Sequence, residues 1–338
     1  MRIAVDAMGG DFGPRTTVRG VAQALAANAE YSATLFGPSD VLYPFLEALP
    51  ASLRDARERM SLVHAEHVVG DDVRPSRVLR APDTSSMHQC LLALSDGRAQ
   101  ACVSGGHTGA LMALARHYIG MSAGLERPAI SAAIPSERDG RCYMLDLGAN
   151  VDSPPRNLAQ FARMGAAMAS IVDGLACPRV ALLNVGVEPG RGERRVRDVD
   201  ALLRSSPSSG FDYVGFVEGD AIFSGKVDVV VCDGAVGNVV LKSSEGLARM
   251  LGQRLQQTFE HSWRTRLVSL LARPALSRFR EELDPVRYNG ASFLGLAGTV
   301  VKSHGGADAR GFSFAVRRAA LEASQRLPER LSEWLVGE

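Results

Sequence analysis

Residues 227–246 read VDVVVCDGAVGNVVLKSSEG. The run from Val227 to Cys232 is apolar and β-branched, broken only by Asp228, which predicts a buried strand of a parallel sheet. The chain then turns through Asp233 and Gly234, passes Gly237 and Asn238, and enters a helix carrying Lys242. A strand that ends in Asp-Gly and feeds a helix through a second glycine builds a crevice at the carboxyl end of a sheet. There, backbone N–H groups and a helix N-terminus hold an anion. Alone, the stretch reads equally well as an ordinary turn beside a solvated lysine. Recurrence favours a site, because the chain makes similar turns several times.

Toward the N-terminus, Arg2 to Asp6 is a short strand and Ala7 to Pro14 a glycine-rich loop, where Gly9 and Gly10 let backbone approach an anion. The loop is not G-x-G-x-x-G and no Walker lysine follows. Asp6 and Asp11 flank it and would repel a pyrophosphate unless bonded elsewhere, so a nucleotide reading is weak. Ala101 to Val103 is a strand, Ser104 to Gly109 a turn, and a helix runs from Ala110. This turn brings the Ser104 and Thr108 hydroxyls and the His107 imidazole to a helix N-terminus. The plain alternative is Thr108 as N-cap with His107 solvated. Arg141 to Leu147 is a strand running into Asp146-Leu147-Gly148-Ala149-Asn150, and Arg179 to Leu183 one running into Asn184-Val185-Gly186-Val187-Glu188. Tyr213 to Val217 ends at Glu218-Gly219-Asp220. Nearer the C-terminus, a glycine-rich apolar segment from Tyr288 delivers Lys302 and His304 to a turn at Gly305-Gly306, and a helix closes the chain from Ala307 to Ser324.

Strands alternating with helices predict an α/β fold, a doubly wound and mostly parallel sheet. On such a sheet the glycine turns are expected to converge on one cleft outside the carboxyl ends. The bulk numbers set limits. At 338 residues a large core can be buried, and a net charge of +1 gives little support to nucleic-acid binding. Five scattered cysteines without C-x-x-C fit free thiols and no zinc framework. No secretory signal opens MRIAVDAMGG and no apolar run approaches a membrane span, so the expected location is cytoplasmic.

Residues 247–285 are expected to form a protruding amphipathic helical hairpin on an otherwise single domain spanning 1–338. An apolar stripe runs through Leu247, Leu251, Leu255, Phe259, Trp263 and Leu267, and the tip reads RTRLVSLLARPALSRFR. Leu267, Leu270, Leu271 and Leu276 rimmed by Arg266 and Arg273 suit a partner or membrane surface. A dimerisation or core helix with snorkelling arginines is the other reading.

The predicted cleft holds amides, hydroxyls, acids, Lys242, Lys302, His107 and His304, with no G-x-S-x-G triad, zinc set or P-loop. Many donors without a nucleophile suit a reaction whose substrate brings its own, and inorganic phosphate is such a nucleophile. Two rivals stand beside this reading. A nucleotide-dependent dehydrogenase predicts a ribose acid downstream of G-x-G-x-x-G, which is absent. A membrane-docked scaffold does not account for so many polar strand-end turns.

Together DAMGGD at 6–11, SGGHTGALM at 104–112, LDLGAN at 145–150, NVG at 184–186, GFVEG at 215–219, CDGAVGNVVLK at 232–242 and LGLAGTVVKSHGGAD at 294–308 resemble the bacterial phosphate acyltransferases of the PlsX type. The resemblance implies a Rossmann-like fold related to phosphotransacetylases. It also implies transfer of a long-chain acyl group from acyl carrier protein to inorganic phosphate, giving acyl phosphate for phospholipid synthesis. A homodimer, no metal or other cofactor, peripheral membrane attachment through the hairpin and a downstream glycerol-3-phosphate acyltransferase come with it. On this reading phosphate lies among Gly9, Gly10, Ser104, Thr108 and Asn238, with Lys242 or Lys302 neutralising its charge and Asp6, Asp11, His107 and Glu188 lining the site. Asn150 or Asn184 holds the tetrahedral oxyanion, His304 protonates the departing thiolate, and Asp233 orients Lys242 or Asn238.

Overall fold

The computed structural model describes residues 1–70, 72–80, 84–137, 140–188, 190–205, 210–260, 272 and 285–336. Its strands are β1 (Arg2–Asp6), β2 (Ser32–Gly37), β3 (Met60–His64), β4 (Ala101–Ser104), β5 (Ala129–Pro135), β6 (Arg141–Leu145), β7 (Arg179–Leu183), β8 (Asp212–Val217), β9 (Val229–Val231), β10 (Ala291–Leu294) and β11 (Thr299–Lys302). Its helices are α1 (Pro14–Ala27), α2 (Ser39–Glu47), α3 (Arg54–Glu58), α4 (Pro75–Val78), α5 (Ser86–Ser95), α6 (Thr108–Tyr118), α7 (Pro155–Asp173), α8 (Arg194–Ser205), α9 (Gly234–Glu260), α10 (Ala309–Ser324) and α11 (Leu327–Val336).

The strands form one sheet in the order β3-β2-β1-β4-β11-β10-β5-β6-β9-β7-β8. Pairing is parallel from β3 to β11 and again from β6 to β8, and antiparallel at β11-β10, β10-β5 and β5-β6. The mostly parallel, doubly wound sheet expected from the alternation is therefore present, but its two halves run in opposite senses. The carboxyl ends of β1, β4 and β11 lie on one edge and those of β6, β7, β8 and β9 on the other. A single cleft collecting every glycine turn does not form. Three central antiparallel pairings reverse the direction, and neither β5 nor β10 stood out in the sequence. AISAAIP is built of small residues, and β10 sits in a segment read only as glycine-rich.

Alternation along each strand sorts the side chains. Ile3, Val5, Val103 and Val301 face α1 and α10, while Ala4, Cys102 and Val300 face the α5–α6 side. In the other half, Tyr143, Leu145, Val229 and Val231 pack on α7, and Met144 and Val230 turn to the opposite face. Helices cover both faces because both faces of these strands are apolar. Gly20 lets α1 approach α10, since a methyl there would lie 2.9 Å from Phe312 Cβ.

α9 begins at Gly234, one turn earlier than the glycines in the sequence implied. Asp233 starts it: Ala235 N–H donates to Asp233 Oδ1 at 3.0 Å and Gly237 N–H to the Asp233 carbonyl at 2.9 Å. Gly234 and Gly237 then lie backbone to backbone with the loop after β6, where added methyl groups would collide with the Asn150 and Asp146 carbonyl oxygens. The helix runs to Glu260; Arg266, Leu267, Leu270, Leu271, Arg273 and Leu276 lie outside the described residues. Among the described residues no helix is long and apolar enough to cross a membrane.

Candidate active site

Three adjacent parallel strands set the first cluster. In register, Asp6 of β1 stands opposite Ser104 of β4, and Ser104 opposite Lys302 of β11. Period-two alternation turns all three side chains to one face. Ser104 Oγ donates to Asp6 Oδ2 at 2.6 Å, and Lys302 Nζ donates to the Gly105 carbonyl at 3.0 Å and to the Ser303 carbonyl. Asp6 is buried, and burial raises its carboxyl pKa against the lowering effect of the Ser104 and Ser86 hydroxyls and the Met8 and Gly9 N–H groups. The acid that seemed set to repel an anion at the glycine loop is instead bonded beneath it.

Three loops meet above this row. A methyl on Gly9 would lie 2.6 Å from Gly106 N, and one on Gly105 2.9 Å from the Gly9 carbonyl oxygen. Gly10 has φ +96° and packs against the Gly305 carbonyl, while Asp11 N–H donates to that carbonyl at 2.9 Å. The loop after β11 is tied by Asn289, whose Oδ1 accepts from His304 N at 2.9 Å and whose Nδ2 donates to Ser303 Oγ at 2.9 Å and to the Gly311 carbonyl at 2.8 Å. Nothing in the sequence reading singled out Asn289. On the neighbouring helix, His107 rather than Thr108 caps α6, its Nδ1 accepting from Ala110 N at 3.1 Å.

α9 reaches this cluster from the opposite edge of the sheet. Eleven residues of helix span about 16 Å, enough to carry Glu245 from the Asp233 turn to His304. Glu245 Oε2 lies 3.0 Å from Lys242 Nζ and 3.9 Å from His304 Nε2. His304 Nδ1 accepts from Gly306 N at 3.0 Å, so the neutral ring carries its proton on Nε2, toward Glu245. Partial burial pushes the His304 pKa down, with Lys242 and Lys302 acting in the same direction and Glu245 and Asp11 opposing. A histidine with a lowered folded pKa binds fewer protons folded than unfolded. Its share of stability is therefore present above the ordinary value of 6.5 and lost as pH falls toward the folded pKa. His304→Asn is expected to lose less stability than the parent between about pH 7 and about pH 5. Urea denaturation at both pH values measures this, and equal losses would count against it.

The second cluster lies on the other edge. Asp146 is buried and accepts from the backbone N–H groups of Ile130, Ala149 and Asn150 and from Asn150 Nδ2. Burial raises its pKa against those bonds. Asn150 Nδ2 also donates to the Pro128 carbonyl at 2.8 Å, and Asn184 Nδ2 donates to the Gly186 and Arg191 carbonyls at 3.1 Å each. Both amides are spent on loop structure, which leaves neither free to hold an oxyanion. Asp233 does not reach Lys242 or Asn238; it accepts from Ser153 N at 2.9 Å and faces Arg195 Nη1 at 3.5 Å. Glu188 is exposed and faces Arg191 at 3.7 Å. Asn238 lies beside the Gly148 loop, where a Gly148 methyl would be 3.5 Å from its Cβ. Of the candidate residues, the structure thus gathers Asp6, Gly9, Gly10, Asp11, Ser104, Lys242, Lys302 and His304, with His107 and Thr108 at the adjoining helix start. Asn150, Asn184, Glu188, Asp233 and Asn238 stand apart. Among the described residues no group of three or more His, Cys, Asp or Glu side chains is placed to hold a metal ion.

A family model described as fatty acid synthesis protein matches residues 1–330. A phosphate acyltransferase of Pseudomonas putida is 49% identical over 329 residues, covering 97% of this chain and 96% of its own. A phosphotransacetylase from Streptococcus pyogenes superposes with a TM-score of 0.61 at 17% identity, over 96% of this chain and 94% of that one. A branched-chain phosphotransacylase from Enterococcus faecalis gives 0.60 at 14% identity, over 95% and 99%. These two structures share the fold expected from the sequence.

Proposed function

The chain belongs to the phosphate acyltransferase family, and we propose that it transfers a long-chain fatty acyl group from acyl carrier protein to inorganic phosphate, for phospholipid synthesis. The observation that carries the reading is the junction of glycine loops over Asp6, Ser104 and Lys302, with His304 in the loop after β11 and Lys242 approaching from α9. Close-packed glycine backbone with two lysines suits a small oxyanion better than a nucleotide. An oxygen of hydrogen phosphate bonds to the acyl carbon, the C–S bond breaks with its electron pair going to sulfur, and the proton released by phosphate ends on the thiol. The protein's part is to hold dianion and thioester together, an effective-concentration effect. His304, with Nε2–H directed into the site, serves the departing sulfur.

The reading extends to a single α/β domain acting as a cytoplasmic homodimer, attached to the membrane face through residues 247–285 and handing acyl phosphate to a glycerol-3-phosphate acyltransferase. The arginine-rimmed apolar sequence at 264–280 supports attachment, which co-sedimentation with anionic vesicles checks.

The deciding experiment incubates the protein with palmitoyl carrier protein, with and without phosphate, and traps acyl phosphate as hydroxamate. Phosphate-dependent thiol release with hydroxamate formation is expected. Release from coenzyme A thioesters alone would remove the carrier protein from the proposal.

A further inference from the structure

One acid at the proposed site has no part in attracting phosphate. Glu245, one turn beyond Lys242 on α9, presents a single oxygen to both Lys242 and His304, at 3.0 and 3.9 Å. Its side chain is 24% exposed, against 49% for Lys242 and 45% for His304, so it is the most enclosed of the three. A pocket built only to collect an anion is weakened by a carboxylate there, because like charges at this range repel.

A carboxylate does discriminate among tetrahedral anions. Near neutral pH orthophosphate keeps at least one proton and sulfate keeps none. A phosphate hydroxyl can donate to the carboxylate, whereas sulfate offers acceptors alone. Sulfate therefore meets Glu245 with repulsion and an unmade hydrogen bond, and an unpaired polar group in an enclosed site is strongly selective. We propose that Glu245 is a specificity-determining residue of the phosphate site. It accepts a hydrogen bond from the protonated oxygen of hydrogen phosphate, while Lys242 holds another of its oxygens, and it excludes fully ionised anions such as sulfate.

The surrounding groups fit this division. Lys302 is turned to the Gly105 and Ser303 carbonyls, and the Asp11 carboxylate lies against Gly305 and Gly306. Glu245 is the acid placed between Lys242 and His304. The inference rests on the phosphate reading above and adds selectivity to it.

The test titrates the parent, Glu245→Gln and Glu245→Ala with inorganic phosphate and with sulfate by calorimetry, and assays sulfate as an inhibitor of acyl phosphate formation. The parent is expected to bind phosphate and exclude sulfate. In Glu245→Gln the amide can donate as well as accept, so sulfate affinity is expected to rise about tenfold or more while phosphate affinity changes less. Glu245→Ala removes the charge without a replacement partner and is expected to admit sulfate too. Variants that still discriminate like the parent would overturn the inference and leave the phosphate reading standing. A parent that neither binds phosphate nor forms acyl phosphate would remove the functional reading, and this inference with it.

Discussion

Alanine at Gly237 is expected to destabilise the protein by about 3 kcal/mol, with near-complete loss of soluble protein at elevated temperature. The second turn of α9 lies directly on the loop after β6, and a methyl group at Gly237 falls inside contact distance of the Asp146 carbonyl oxygen and 3.0 Å from Cys232 Sγ. Backbone cannot yield as a flexible side chain does. Accommodation means moving the start of α9, which would carry Lys242 and Glu245 away from His304 as well. Gly246→Ala on the same helix is the control: no atom lies within 4 Å of the added methyl, and replacing a mid-helix glycine stabilises by about 0.5–1 kcal/mol. Urea unfolding of both variants measures the contrast. Equal stabilities would show that α9 is not seated on the Asp146 loop.

Alanine at Lys242 is expected to lower the rate of acyl phosphate formation by about a hundred- to a thousandfold, the usual consequence of removing one well-placed charge or donor from a reacting oxyanion. Stability should stay within about 0.5 kcal/mol, because the side chain is half exposed and alanine favours helix. Steady-state hydroxamate assays at varied phosphate, beside a thermal melt, separate the two effects. Near-parental turnover would take Lys242 out of the proposed machinery.

The sequence showed much of this protein and hid one relation. VDVVVCDGAVGNVVLK announced a strand, a turn and a helix, Asp6 and Ser104 stood at legible strand ends, and Lys302 and His304 stood before a legible glycine turn. Their meeting was not legible, because it depends on β11 entering between β4 and β10, a long-range choice with no local signature. The same reversal sent Asp233, Asn150 and Asn184 to the other edge, so residues that looked alike in sequence serve different ends. At the start of α6, two capping residues compete within one turn, and the imidazole of His107 occupies the place expected of Thr108. Glu245 lay in view, three residues from Lys242 on the same helix face, and helical periodicity alone would have paired them. Asn289 left no such trace; its role appears only once β10 brings it beside the loop after β11.

Strands β10 and β11 have a further consequence in the order of synthesis. They follow every other described strand in the chain, yet they fill the middle of the sheet, between β4 and β5. Until they emerge from the ribosome, the two half-sheets can each assemble but cannot join, and each presents a bare pairing edge. Such edges are where newly made chains stick to one another. Joining the halves and bringing Lys302 and His304 into place are then one late event. A chain stalled before β10 would hold neither a continuous sheet nor Lys302 and His304 beside the glycine loops.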